Sequence, residues 1–321
     1  MKIAMIGSGA AGSVFASYLR RGGADITLVD PYKAHMDAVA QNGMDFTITP
    51  DQHYIVEGFK TAYNAEKIGI MDAVIFMTKA THIHSAIETA KPCIGENTVL
   101  VSLMNGVGNE DPLLELAPPS RVIYGSGTLG TLLAAPGKCV SSPGKASESL
   151  MNFGAVERSE LTIAVGEHLE KCFNAGGCPA TFWEDVAPAI WKKAIINCVF
   201  NPLSALTRLK VRVINHDDDG YALIRMICEE CSAVAAAKGV NIPAEPLANA
   251  LRNSTSPITN YFPSMAQDML MHERETEITT LNGRISEYGK KFNIPTPAND
   301  FIYHMVSVMQ RNYDKQYPKV E

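Results

Sequence analysis

In the stretch from Trp191 to Pro202, three polar side chains recur at four-residue spacing among Ile, Cys, Val and Phe: Lys193, Asn197 and Asn201. Residues i, i+4 and i+8 share one face of an α-helix, and Lys192 points about 100° away from them. A lysine and two amides are costly to bury unless they hydrogen-bond something. The stripe therefore reads as one wall of a cleft that grips a polar ligand. A lysine snorkelling from a buried helix, with two asparagines tying neighbouring elements, would give the same pattern.

A second chemical signature opens the chain. Gly7-Ser8-Gly9-Ala10-Ala11-Gly12 matches G-x-G-x-x-G and falls between a short apolar run and a helical pattern, where such a turn binds a dinucleotide. The first glycine permits the tight turn and the second lets the backbone approach a pyrophosphate. The third lets helix and strand pack closely, and the helix N-terminus offers free N–H donors. Asp30 closes the next strand 18 residues after Gly12, as a ribose-binding acid should. A carboxylate there accepts from a ribose 2′-hydroxyl and repels a 2′-phosphate, which favours NAD(H). Lys33 and His35 lie near enough to leave NADP(H) open, and a solvated turn aspartate in Asp-Pro-Tyr-Lys is the alternative reading of Asp30.

These residues need a frame. Lys2 to Ile6, Ala11-Phe15-Leu19 at helical spacing, and Ile26 to Asp30 form one βαβ unit. Ala73 to Met77, Thr98 to Leu103 and Arg121 to Tyr124 are apolar on both faces, as strands of a covered parallel sheet should be. The expected fold is α/β, with an N-terminal Rossmann-type doubly wound parallel sheet. From about residue 185 the pattern turns helical, over Ala187 to Leu209, Asp218 to Lys238, Glu245 to Arg252, Ser264 to Asn293 and Pro297 to Asp314. The expected division is a dinucleotide-binding domain over 1–184 and a second, all-helical domain over 185–321, carrying substrate and catalytic groups. At roughly 150 residues per domain the length agrees.

Composition narrows the function. The 321 residues carry 28 Lys plus Arg against 34 Asp plus Glu, a net charge of −6. With no basic cluster, nucleic acid and anionic membranes are not expected partners. No apolar stretch approaches the length of a membrane span. The seven cysteines are scattered through apolar contexts and read as reduced core thiols, so the expected location is cytoplasmic. Cys228-x-x-Cys231 lacks a second Cys/His pair at zinc spacing, and His82-x-His84 offers no further ligands, so no metal site is expected. His272 to Glu277 looks like a solvated helix face. A homodimer is compatible with the sequence but not required by it.

With these motifs in place the chain resembles the ketopantoate reductase (2-dehydropantoate 2-reductase) family along nearly its whole length. The resemblance rests on the glycine turn, Lys79 in Met77-Thr78-Lys79-Ala80, and the Asn105-Gly106-Val107-Gly108-Asn109-Glu110 loop. It rests further on the Lys193 to Pro202 segment and on Ser264 to Asp268 with Arg274 to Ile278 and Asn282-Gly283. It implies an oxidoreductase of pantothenate biosynthesis that moves hydride from a nicotinamide cofactor to a small branched 2-keto acid, giving the (R)-2-hydroxy acid. It implies Lys193 as general acid, Asn197 and Asn201 as substrate-orienting groups, Ser264 on the substrate carboxylate and Glu277 on a substrate hydroxyl. Lys79 and Asn105 would flank the nicotinamide half of the cofactor.

Departures from the family pattern bear on the substrate. Ala80-Thr81-His82-Ile83 replaces an expected Gln-containing stretch, the Asp268 to Glu277 segment is one residue longer than usual, and Thr279 stands where an acid is usual. An NAD-dependent D-2-hydroxy-acid dehydrogenase of the same family is the near alternative. β-Hydroxyacid dehydrogenases also place a lysine four residues before an asparagine, but they lead into it with a glycine-rich loop, and Val186 to Trp191 is not one. A dinucleotide-binding sensor without catalysis is the non-enzyme alternative, and the intact set of Lys193, Asn197, Ser264 and Glu277 argues against it.

Overall fold

The five apolar runs become parallel strands of one sheet. They are β1 (Lys2–Ile6), β2 (Asp25–Val29), β6 (Ala73–Phe76), β7 (Val99–Ser102) and β8 (Val122–Gly127), and every residue of β6 and β7 is buried. The short β5 (Lys60–Ala62) pairs with β2, so the order β5-β2-β1-β6-β7-β8 follows the Rossmann pattern, with the topological switch between β1 and β6. The sheet then departs from the parallel expectation: β11 (Met151–Ala155) runs antiparallel to β8, and β12 (Ala180–Trp183) runs parallel to β11 at the far edge. The computed structural model describes residues 1–142, 149–254 and 260–316.

A second, four-stranded sheet lies outside the expected layout. Its order is β4-β3-β10-β9, from β3 (Met44–Ile48), β4 (Gln52–Val56), β9 (Gly130–Ala135) and β10 (Lys138–Ser142). It covers α1 (Ala10–Arg21): Tyr18 meets Phe46 edge-on at 4.9 Å, and its hydroxyl pairs with Ser141 Oγ at 2.8 Å. Residues 12–19 of α1 are consequently all buried. Helices α2 (Lys33–Asn42), α3 (Ile83–Ala90), α4 (Asp111–Leu114) and α5 (Glu160–Ala175) complete this unit. A capping box starts α5, Ser159 Oγ accepting from the Thr162 N–H and Thr162 Oγ1 from the Ser159 N–H.

The chain divides into two units, the first formed by residues 1–105 and 109–186 and the second by 106–108 and 187–321. The second is helical: α6 (Ala187–Thr207), α7 (Val211–His216), α8 (Asp218–Ala237), α9 (Ala244–Arg252), α10 (Ser264–Leu270), α11 (Asn282–Phe292) and α12 (Pro297–Gln310). Asp217 caps α8 by accepting the Gly220 N–H at 2.8 Å, and Gly239 follows that helix with φ +82°.

One expected helix is broken. The spacing from Ser264 to Asn293 predicts one helical stretch, but α10 ends at Leu270 and α11 begins only at Asn282. Met271 to Glu275 are all exposed, so no apolar face holds a helix there. Glu273 adopts φ +48°, and the Arg274 N–H returns to the Asp268 carbonyl at 3.1 Å, which closes the turn. The His272 to Glu277 run is thus a loop rather than a helix face. Among the described residues no helix is long and apolar enough to cross a membrane. All seven cysteines are free and buried, Cys228 and Cys231 within the core of α8.

Candidate active site

Every predicted cofactor residue of the first unit sits at the carboxyl ends of its parallel strands. Gly7 to Gly12 follow β1, Asp30 follows β2, Lys79 follows β6 and Asn105 follows β7, which is where open α/β sheets bind ligands. Gly7 has φ +91°, and a Cβ on it would lie 2.9 Å from the Met77 carbonyl carbon. A Cβ on Gly12 would lie 2.0 Å from the Gly7 oxygen, so a side chain at either position would force the turn open. Gly9 differs: a Cβ there meets nothing among the described residues within 4 Å, leaving the backbone face open to a ligand. Gly9 also starts α1 without a side-chain cap, and no acidic residue occupies the first turn. The N–H groups of Ala10, Ala11 and Gly12 are therefore the unsatisfied donors of a helix start, suited to a pyrophosphate.

Asp30 is built into this turn. Its Oδ2 accepts the Ser8 N–H at 2.7 Å and its Oδ1 accepts the Tyr32 N–H at 2.8 Å. A carboxylate offers about four acceptor positions, so capacity remains for ribose hydroxyls. The residues present thus fit a dinucleotide, with donors for phosphates and an acceptor for a ribose.

Behind the turn stands a group the sequence reading did not assign, His35. It is fully buried. Its Nδ1 accepts the Gly137 N–H at 2.8 Å, so its proton sits on Nε2, 3.0 Å from Ser13 Oγ and 3.3 Å from Ser8 Oγ. Ser13 Oγ donates in turn to the Ser8 carbonyl at 2.8 Å. Burial pushes the imidazole pKa below its ordinary value, and the nearby Asp30 opposes that shift.

In the second unit, Lys193, Asn197 and Asn201 lie on one face of α6. Lys193 and Asn197 are half-buried and Asn201 is buried, whereas Lys192 is exposed. Burial pushes the Lys193 ammonium down to about 8, against the charge of Glu277, which acts to raise it. Glu277, half-buried, ends the loop that replaces the expected helix. That loop is fixed by its neighbour: the Thr276 N–H and hydroxyl both donate to Gln310 Oε1, at 3.0 and 2.8 Å. Ser264 is the exposed first residue of α10, a helix that packs against α6. In the same unit Gly106 and Gly108, at φ +102° and +73°, approach so closely that a Cβ would meet the Thr280 oxygen at 2.5 Å and crowd the Tyr288 hydroxyl. Asn109 holds the base of that loop through the Asn105 carbonyl at 2.9 Å.

A Rossmann-type sheet with a glycine-rich turn and an acid at the carboxyl ends of its strands, followed by a helical unit bearing a lysine whose pKa burial lowers, defines the class of dinucleotide-binding oxidoreductases. Comparison with known proteins makes the assignment narrower. The family described as "Ketopantoate reductase PanE/ApbA" matches residues 3–155, and "Ketopantoate reductase PanE/ApbA C terminal" matches residues 185–310. The chain belongs to the ketopantoate reductase family. It is 28% identical over 314 residues to the 2-dehydropantoate 2-reductase of Lactococcus lactis subsp. lactis, covering 95% of this chain and 97% of that protein. A ketopantoate reductase of the same family from Ralstonia eutropha superposes with TM-score 0.83 at 28% identity, covering 98% of this chain and all of that one. A D-mandelate dehydrogenase solved with NADH and anilino(oxo)acetate shares the fold, with TM-score 0.83 at 23% identity, over 98% of this chain and 100% of that one.

Proposed function

We propose that this protein reduces a small branched 2-keto acid of the ketopantoate type to the (R)-2-hydroxy acid, with NADH as the preferred cofactor. The single observation that carries the reading is Lys193: a half-buried ammonium lowered to about 8, facing the same way as Asn197 and Asn201 and under the influence of Glu277. A general acid works best when its pKa lies near the working pH. Lys193 is poised to hand its proton to the ketone oxygen as charge develops there. When bound, the reduced nicotinamide supplies the hydride. The amides of Asn197 and Asn201 orient the substrate, Ser264 takes its carboxylate, and Glu277 accepts from a distal hydroxyl. In the first unit the turn at Ala10 to Gly12 binds phosphate oxygens, Asp30 selects the ribose, and Lys79 and Asn105 lie at the nicotinamide half.

A second reading, an NAD-dependent D-2-hydroxy-acid dehydrogenase acting on another substrate, is favoured by the exposed Thr279 where relatives are expected to have an acid. The shared fold of the D-mandelate dehydrogenase is in keeping with it. The test is oxidation of NADH and of NADPH against a panel of 2-keto acids, ketopantoate among them. Turnover of ketopantoate above the others supports the first reading, and turnover of a keto acid lacking a distal hydroxyl above ketopantoate supports the second. No turnover with any of them refutes both.

A further inference from the structure

Helix α6 carries a defect one residue past Asn201. Pro202 lies inside the helix, and a proline has no N–H for the carbonyl four residues earlier, so Cys198 loses its intrahelical partner. Cys198 is fully buried, and a buried carbonyl needs a donor from the protein itself. Asn282 supplies it: Nδ2 donates to the Cys198 oxygen at 3.0 Å.

The direction of that donation is imposed from a distance. The second hydrogen of Asn282 Nδ2 goes to Asn299 Oδ1 at 2.9 Å, and Asn299 Nδ2 donates to Glu230 Oε2 at 2.7 Å. Glu230 also accepts the N–H groups of Ala298 and Asn299, at 2.8 and 2.9 Å, at the start of α12. An ionised carboxylate only accepts, so it fixes which end of Asn299 faces it. The Asn299 oxygen then turns the Asn282 nitrogen toward both itself and Cys198. Asn282 Oδ1 is left buried without a partner among the described residues, which marks an amide kept for what its nitrogen does.

Asn282 begins α11, five residues after Glu277, and Cys198 lies between Asn197 and Asn201. We infer that Asn282 is a positioning residue: it repairs the proline break in α6 and so fixes the Asn197 to Asn201 turn relative to Lys193 on that helix and to Glu277 just ahead of α11. The inference rests on the proposed reading of that stripe as the substrate-holding face.

The test is a cycle of Asn282→Ala, Pro202→Ala and the double variant, since alanine at 202 restores the N–H that Cys198 lacks. Asn282→Ala should lower kcat/KM for the best 2-keto acid by roughly 10- to 100-fold, the scale of a misplaced substrate contact, with the KM for NADH unchanged. In the Pro202→Ala background the same change should cost only a few-fold. Hydrogen exchange of the segment 196–206 should speed up in Asn282→Ala and return in the double variant. That readout needs no turnover, so a wild type that reduces no keto acid would overturn the functional reading and leave this one to be judged by exchange. An Asn282→Ala protein that folds only with Pro202→Ala supports the inference. One that folds in neither background overturns it, as does equal damage in both, or a folded Asn282→Ala protein with unchanged kinetics and exchange.

Discussion

The Ser8 backbone N–H donates to Asp30 Oδ2 at 2.7 Å, so the acid at the end of β2 is fastened to the glycine turn at the end of β1. With Tyr32 holding the other oxygen, the carboxylate cannot swing away from an incoming 2′-phosphate. A phosphate of about −2 charge beside it meets a repulsion of up to about 4 kcal/mol per unit-charge pair at an effective dielectric near 20. The half-exposed setting reduces this to roughly 1–3 kcal/mol, or a 5- to 150-fold preference. Lys33 can offset part of it, although its ammonium leans toward the Tyr63 ring at 5.7 Å. Wild type is expected to show the higher kcat/KM with NADH, and Asp30→Ala to move the ratio toward NADPH. A wild type equally good with NADPH, or an unmoved ratio in the variant, contradicts this role.

Lys193→Ala is expected to lower kcat by at least the ~10²-fold typical of general-acid loss, with NADH binding retained because the glycine turn proposed to bind it belongs to the other unit. Lys192→Ala, at an exposed position, should be mild. The pH dependence has a definite sign. In the proposed role the proton donor is the ammonium, so the reduction rate should fall as pH rises through about 8. Glu277 raises that value, so Glu277→Gln should shift the alkaline limb to lower pH. A limb that stays in place or moves up in Glu277→Gln rejects the coupling.

How legible was this in the sequence? The strands of the main sheet were, because β1, β2, β6, β7 and β8 are buried on both faces and leave continuous apolar runs. The second sheet was not: β3 alternates buried and half-buried residues and β9 alternates exposed and half-buried ones, a weaker period-two signal than an apolar run. The placement of the glycine turn and of the α6 stripe could be read because it is set by local spacing. His35 and Asn282 could not, since their partners lie 102 and 84 residues away for the Gly137 and Cys198 contacts. Pro202 inside a helical pattern did carry a signal, a carbonyl needing a donor from elsewhere, but nothing local says which residue donates. The loop at 271–277 defeated the helical reading because its hold comes from Asp268 and Gln310 rather than from its own periodicity.

His35 ties stability to pH. Its folded pKa is depressed by burial, so in mild acid the unfolded chain binds a proton that the folded protein resists. Stability is therefore full above the ordinary histidine value of about 6.5 and declines as pH falls below it. Protonation would also convert Nδ1 from acceptor to donor and break the bond from Gly137. Thermal melts at pH 7.5 and 5.5 should show a smaller difference in His35→Gln than in wild type, with weaker NADH binding by the variant. An unchanged pH difference would remove His35 from this role.

Ser264 and Glu277 both belong to the helical unit and are expected to act on the keto acid rather than on NADH. Ser264→Ala should raise the keto-acid KM across all substrates, because every 2-keto acid presents the carboxylate it is proposed to hold. The loss of one hydrogen bond to a charged group corresponds to roughly 1.5–3 kcal/mol, or about 10- to 150-fold. Glu277→Ala is more selective. If its carboxylate accepts from a distal hydroxyl, ketopantoate should lose far more than a branched keto acid without that hydroxyl, since only the former leaves a donor unmatched. Thr276 anchors the loop holding Glu277 on Gln310, and the Glu277 carbonyl still accepts from Thr280 and Leu281 in the variant, so the substitution should leave the fold intact. The measurement is kcat and KM for each keto acid, with the NADH dissociation constant as control. Equal losses on the two keto acids would reassign Glu277 to tuning Lys193 alone, and weakened NADH binding with unchanged keto-acid saturation would remove it from the substrate site.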